Sequence, residues 1–324
     1  MQDKVINLFL ADLHIMLSLF GGRSFVVLYC RMSKVLLSVP EEFNFELCFQ
    51  FLQRSPKELL HRVTQDRVIK LLRIENELIL FSVKEGNRTL IIEFLQGPSS
   101  LLIRESVKKY VREWFDLETD LKSFYELART DELLKPLVKK FSGYRIIGQP
   151  DLFESLIWAV LGQQINLQFA YSLKQRFVEQ FGERLSVEGV YYYLFPVAEK
   201  VSSLLSTQLL PIQFSRQKAK YTIGIGQAFA EGRVSKEKLS GLPLKEAKEE
   251  LTKIKGIGNW TANYALMKTF HYRDAFPLED AGLHNAIKNQ LGLKLKPSLE
   301  RVKKIFKKYK GWEAYATLYL WRSL

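Results

Sequence analysis

From about residue 106 to the C-terminus, apolar residues return at three- and four-residue spacing in one run after another. The runs are SVKKYVREWFDL, DLFESLIWAVLGQQINLQFAYSLKQRFVEQFG, RQKAKYTIGIGQAFAEG, LKEAKEELTKI, WTANYALMKTF, AGLHNAIKNQLG and LERVKKIFKKYKGWEAYATLYLWRSL. That spacing gives each segment one apolar face on a helix, and segments of this kind bury those faces only against one another. The runs stop at Gly or Pro. Cap residues open several of them, among them Asp151 after Pro150 and Ser298 after Pro297. The spacing therefore predicts a mainly α fold for the larger part of the chain, with almost everything beyond residue 99 helical.

The pattern before residue 98 is different. KVLLSVP and ELILFSVKEGNRTLIIEFL are rich in Val, Ile, Leu and Phe, and Glu85-Gly86-Asn87 splits the second into two strand-like halves. FNFELCFQFLQRSPKELL between them has helical spacing. Residues 32–98 are thus expected to form a small α+β domain. Gly97-Pro98-Ser99-Ser100 marks its boundary with the helical part, 99–324. Residues 1–31 are apolar, but Asp12, Gly21, Gly22 and Arg23 interrupt them before membrane-spanning length. Because MSKVLLSVPEEF reads like the start of a domain, residues 1–31 are expected to be an upstream extension outside the fold, in preference to a membrane anchor.

Charge narrows the partner. The formal net charge is +13; residues 1–96 carry 12 basic and 11 acidic groups, a net of +1, which leaves +12 for residues 97–324. A positive field concentrated in the helical part points to a polyanion. Cys30 and Cys48 are the two cysteines, too few for a disulfide framework, a four-cysteine zinc site or a four-cysteine iron-sulfur cluster. A reduced, cytoplasmic setting fits that count.

One stretch gathers groups with chemistry. In LTKIKGIGNWTANYALMKTF, Gly256-Ile257-Gly258 reads as the turn of a helical hairpin in which glycines take left-handed φ and leave amides uncovered. Those amides open a helix near Asn259, where unpaired N–H groups and the helix dipole favour an anion such as a DNA phosphate, with Lys253 and Lys255 alongside. Trp260 and Tyr264 share a face of that helix, and Trp321 lies in another apolar helix; such rings serve either a core or a pocket for a flipped base. DAFPLEDAGLHNAI follows, with Asp274, Glu279 and Asp280 around a helix start, where an acid is either an N-cap or a reactive carboxylate. A hairpin used only for backbone contact in a non-catalytic DNA-binding protein remains an alternative on these residues.

KGIGNWTANYALM followed by DAFPLEDAGL resembles the hairpin, loop and catalytic Asp of the helix-hairpin-helix DNA glycosylase superfamily, in its alkylbase (3-methyladenine DNA glycosylase II) branch. LIWAVLGQQIN resembles that family's Leu-Gly-Gln-Gln helix and loop, and GWEAYATLYLW its closing helix, so the likeness spans about residues 32–324. The resemblance implies a helix-hairpin-helix glycosylase fold, mainly α with a small N-terminal α+β domain, and hydrolysis of the N-glycosidic bond of alkylated purines in duplex DNA. It implies Asp280 as the catalytic carboxylate and Trp260, Tyr264 and Trp321 as the base pocket. It also implies Gly256 and Gly258 as the phosphate-binding hairpin, beside which Lys255 and Asn259 are read as DNA contacts, and Gln164 filling the gap left by the flipped nucleotide. No cofactor is implied beyond a monovalent cation at the carbonyls of Thr252, Ile254 and Ile257. Lyase members carry a Lys where this chain has Trp260, so a monofunctional enzyme is expected. Damaged duplex DNA is the expected partner of a monomer, with no membrane.

Overall fold

The computed structural model describes residues 34–324 in full and, of the first 33 residues, the backbone of three antiparallel strands, Ile6–Leu10, Leu13–Phe20 and Arg23–Cys30. The reading of residues 1–31 as an upstream extension concerns side chains and packing that lie outside the described residues.

Strand-forming sequence builds an antiparallel sheet in the order Lys34–Ser38, Thr89–Gln96, Glu77–Glu85, Arg67–Ile74, Arg62–Val63. The turn expected at Glu85-Gly86-Asn87 joins two of these strands and is closed by Gly86 N–H donating to the Thr89 carbonyl at 2.8 Å. Alternation along the strands separates two faces. Val68, Ile79, Phe81 and Val83 enter the main core with Phe45, Cys48 and Phe49 of the helix Phe45–Leu52. Ile69, Leu71 and Leu80 face the other way.

What covers that second face departs from the expectation of an all-helical remainder. A two-stranded hairpin, Arg184–Val187 with Val190–Tyr193, lies within the helical part, and its Leu185, Val187 and Tyr192 pack on Ile69, Leu71 and Leu80. Its turn is Glu188-Gly189, both at positive φ, which matches the right-handed twist of the strands. The hairpin thus seals apolar sheet surface that would otherwise meet water.

The remaining elements are helical. Leu152–Gly162 is buried along nearly its whole length, and Asn259–Phe270, with Ala262, Ala265 and Leu266 buried, packs against it. Asp151 and Ser298 cap their helices as expected, accepting from Glu154 N–H and Arg301 N–H. One continuous core runs from Leu37 to Leu320. It is fastened by the fully buried Arg145, whose guanidinium donates to the Asp116 and Thr119 carbonyls and to the Glu42 carboxylate. No described helix is long and apolar enough to cross a membrane.

Candidate active site

The helix Leu244–Thr252 ends four residues before Gly256, and the helix Asn259–Phe270 starts just after Gly258. The two glycines do different things. Gly256 has φ +98°, and a Cβ there would sit 2.3 Å from the Tyr221 ring, so the turn needs glycine both for its backbone and for its seat on that ring. Gly258 is not left-handed, contrary to the expectation for both: at φ −88° it is an extended N-cap, with open space where a side chain would be. It offers no side-chain oxygen, so the first-turn N–H groups of the following helix have no capping side chain.

Two residues not singled out from sequence hold this hairpin. Gln163 donates from Nε2 to the Gly256 carbonyl at 3.1 Å and to Thr261 Oγ1 at 2.9 Å, fixing the turn to the end of the Leu152–Gly162 helix. Lys218 donates to the carbonyls of Val160, Leu161 and Gln163 at 2.8 to 2.9 Å, closing that helix end. Partial burial, with no acid to offset it, pulls its ammonium down to about 8. The long periodic run through this region divides here, in keeping with the helix and loop that the resemblance implies: Asn166 caps a second helix, Leu167–Phe181, and Gln164 sits exposed in the break at φ +58°. The Gln-Gln pair was the available signal, but sequence does not say which glutamine faces inward.

Asp280 is the N-cap of the helix Ala281–Gln290 and is also more than a cap. Its Oδ1 accepts from the Leu283 amide at 2.6 Å and from Trp321 Nε1 at 2.7 Å, and its Oδ2 accepts from Trp260 Nε1 at 3.1 Å. Two indoles from two other helices therefore fix the carboxylate plane. Gly282 leaves room for this, since a Cβ would lie 3.0 Å from Asp280 Oδ1 and 3.5 Å from the Trp321 ring. The two other acids of the segment are placed differently. Glu279 accepts from the exposed Asn259 amide at 2.8 and 3.1 Å, and Asp274 is exposed.

The rings gather around the carboxylate. Trp260 stacks on Tyr264 with centroids 5.4 Å apart and planes at 24°, and Trp321 lies 6.3 Å from Tyr264. Trp158 Nε1 donates to the Tyr264 hydroxyl at 3.0 Å, and burial pushes that phenol up to about 12, so it stays neutral. All three rings are part-exposed, whereas Tyr319, on the Trp321 helix, is fully buried and bonded to Tyr125 and the Tyr144 carbonyl. A half-covered aromatic cluster beside a fixed carboxylate, flanked by a helix start without a side-chain cap and by the exposed Lys255, can hold a planar group against a ring and place negative charge next to it.

Residues 157–311 match the HhH-GPD superfamily of base excision DNA repair proteins, and residues 30–156 match the N-terminal domain of 8-oxoguanine DNA glycosylase. A DNA-3-methyladenine glycosylase of Bacillus subtilis is 42% identical over 293 residues, covering 90% of this chain and 97% of that protein. Among solved structures, a 3-methyladenine DNA-glycosylase from Archaeoglobus fulgidus superposes with TM-score 0.76 at 24% identity, covering 90% of this chain and 97% of that one. An 8-oxoguanine glycosylase/lyase of Clostridium acetobutylicum gives TM-score 0.71 at 21% identity, covering 91% and 97%. At those identities the two structures speak to the fold alone.

Proposed function

The chain belongs to the HhH-GPD superfamily of base excision DNA repair proteins, and from that membership we propose the roles of its residues. It is a DNA glycosylase that hydrolyses the N-glycosidic bond of alkylated purines, the activity named for its 42%-identical relative. The observation that carries the residue assignment is Asp280, held by Trp260 and Trp321 within a part-exposed ring cluster.

The chemistry follows from what an alkylated purine is. A methyl group on a ring nitrogen makes the base cationic and a good leaving group, so little acid catalysis is required. The glycosidic bond breaks with its electron pair leaving on the base, and positive charge builds on the sugar. The Asp280 carboxylate stabilises that charge and orients water, whose oxygen bonds to C1′ and whose proton passes to the carboxylate or to solvent. An abasic site and free base result. Trp260 occupies the place of a lyase's amine, and an indole cannot form a Schiff base; the enzyme is monofunctional.

Duplex DNA is held by its backbone at Gly256, Gly258, Asn259 and Lys255, with Gln164 entering the stack from its exposed loop. A monovalent cation at the Thr252, Ile254 and Ile257 carbonyls suits neutral hard oxygens at a helix end; Ile254 already accepts from Ile257 N–H, leaving its second lone pair. The unit is a monomer of the cytoplasm, divided at residues 98 and 99. Incubation with duplexes carrying methylated purines and chromatography of the released base tests the whole reading. Strand nicking without added base would overturn monofunctionality, and no released base would overturn the enzyme.

Two further outcomes are expected. DNA affinity falls steeply with salt, log K dropping against log salt by roughly 0.9 for each phosphate neutralised; a flat response between low and physiological salt would remove the backbone footprint. Trp321→Leu loses base release by roughly tenfold or more, because Leu offers neither a ring face nor the N–H that fixes Asp280. Thermal melting of the same variant decides it: destabilisation with normal release per folded molecule returns Trp321 to the core.

A further inference from the structure

The helix Asn259–Phe270 carries Trp260, Tyr264 and Lys268 four residues apart, on one face. Trp260 and Tyr264 belong to the ring cluster, and Lys268 belongs to no part of the machinery described above. It is 4% exposed, its Nζ lies 5.1 Å from the centre of the Phe51 ring, and no acid pairs with it among the described residues. Burial, reinforced by repulsion from Arg54, pulls its ammonium down to about 7. A buried amine without a partner costs stability, and the positions where chains tolerate that cost are concentrated at functional sites.

Lys268 and Tyr264 share a recess with Phe51, Arg54, Gln149 and Tyr171. Arg54 comes from the N-terminal α+β part; its guanidinium carbon sits 3.8 Å above the Phe51 ring, and its Nε donates to the Tyr171 hydroxyl. Gln149 Oε1 is buried there with no hydrogen-bond partner among the described residues. The acids nearby are already committed: Glu58 and Glu154 accept from Lys174 at 3.0 and 3.3 Å. Lys70, the other lysine of the recess, donates to the Leu60 carbonyl at 3.0 Å. Among the basic side chains of the recess, those with donors left over are Arg54, through its terminal guanidinium nitrogens, and Lys268. The recess has space of about 50 Å³, enough for a few waters and too little for a purine, so only the edge of a base could reach into it.

We propose that Arg54 and Lys268 determine base specificity: with the purine ring against Tyr264 and Trp321, their N–H groups receive an acceptor on its edge, favouring a 6-oxo purine over a 6-amino one. This rests on the glycosylase reading above. The aromatic faces attract a cationic base of either kind, and the two basic side chains oppose that attraction, so charge alone cannot set the preference. A hydrogen bond to a 6-oxo group offsets the repulsion, and a 6-amino group, itself a donor, offers none. 7-Methylguanine carries the oxygen and 3-methyladenine carries the amine, while both are cationic in DNA.

The test uses DNA treated with a methylating agent, which holds both lesions in one tube, and separates the released bases by chromatography. Arg54→Met and Lys268→Met should each lower the ratio of 7-methylguanine to 3-methyladenine release by roughly tenfold, the loss of a charge-assisted hydrogen bond. Release of hypoxanthine, a neutral 6-oxo base, from a defined duplex should fall with it. Arg54→Lys, which keeps a charged donor, should recover part of the ratio. Because one enzyme sample acts on both lesions, a variant that folds less well changes both rates and leaves the ratio alone. A ratio that stays constant or rises in both Met variants overturns the proposal, while a parent protein that releases neither base overturns the glycosylase reading instead.

Discussion

Asp280→Asn abolishes base release while leaving lesion DNA bound. The substitution keeps what the fold needs, since Asn caps a helix about as well as Asp and its amide oxygen can still accept from Leu283 N–H. Melting temperature should therefore move little. What disappears is the negative charge beside the developing sugar cation. One of the two indole N–H groups that now meet carboxylate oxygens also faces an NH2 group instead, and the side chain loses its fixed plane. Preorganised electrostatic groups of this kind are worth roughly 10² to 10³ in rate when removed, and a full charge in a partly dry site more. Single-turnover base release and a binding titration on the same preparation check both halves. The assignment fails if Asp280→Asn works near normally while Glu279→Gln or Asp274→Asn does not. The structure argues against those rivals, because Glu279 is engaged by Asn259 and Asp274 is exposed.

That carboxylate shows what a sequence can carry. An acid at the start of a helix is legible as a cap, and the spacing from hairpin to Asp280 is legible as a family pattern, yet nothing in a one-dimensional pattern says that Trp321, 41 residues on, donates to it at 2.7 Å. Periodicity found the helices because each one's burial is decided within its own few turns. It missed the Arg184–Tyr193 hairpin, whose strands are only four residues each. Their reason for being strands lies on Ile69, Leu71 and Leu80, more than a hundred residues away. It also ran through Gln163–Asn166 without a break, although one helix ends there on Gly162 and Asn166 caps the next, while Gln163 and Lys218 tie the break to other elements. Arg54 and Lys268 were invisible for the same reason: one is an ordinary surface arginine by sequence and the other an ordinary helix lysine, and only the packing of the N-terminal part on the helix Asn259–Phe270 puts them in one recess.

The hairpin glycines give the second large effect, and a paired experiment separates fold from ligand. Gly256→Ala places a methyl 2.3 Å from the root of the Tyr221 ring at φ +98°. The root of a ring cannot swing aside as the tip of a flexible side chain can, and Tyr221 is further held by Gln217 donating to its hydroxyl at 2.6 Å. Backbone strain of this sort costs about 1 to 3 kcal/mol and forced overpacking a similar amount. The turn must lift, which breaks the Gln163 bond to the Gly256 carbonyl and moves the amides that follow. DNA affinity should fall by well over tenfold, with a measurable drop in melting temperature. Gly258→Ala is the counterpart: its backbone lies at φ −88° and its Cβ meets nothing within 4 Å, so the protein alone accommodates it within about 1 kcal/mol. If these amides hold a phosphate, that methyl stands where the phosphate approaches, and affinity drops although stability does not. Parent-like binding by Gly258→Ala would mean that the backbone of DNA passes elsewhere, and parent-like melting of Gly256→Ala would mean that the turn does not rest on Tyr221 as described.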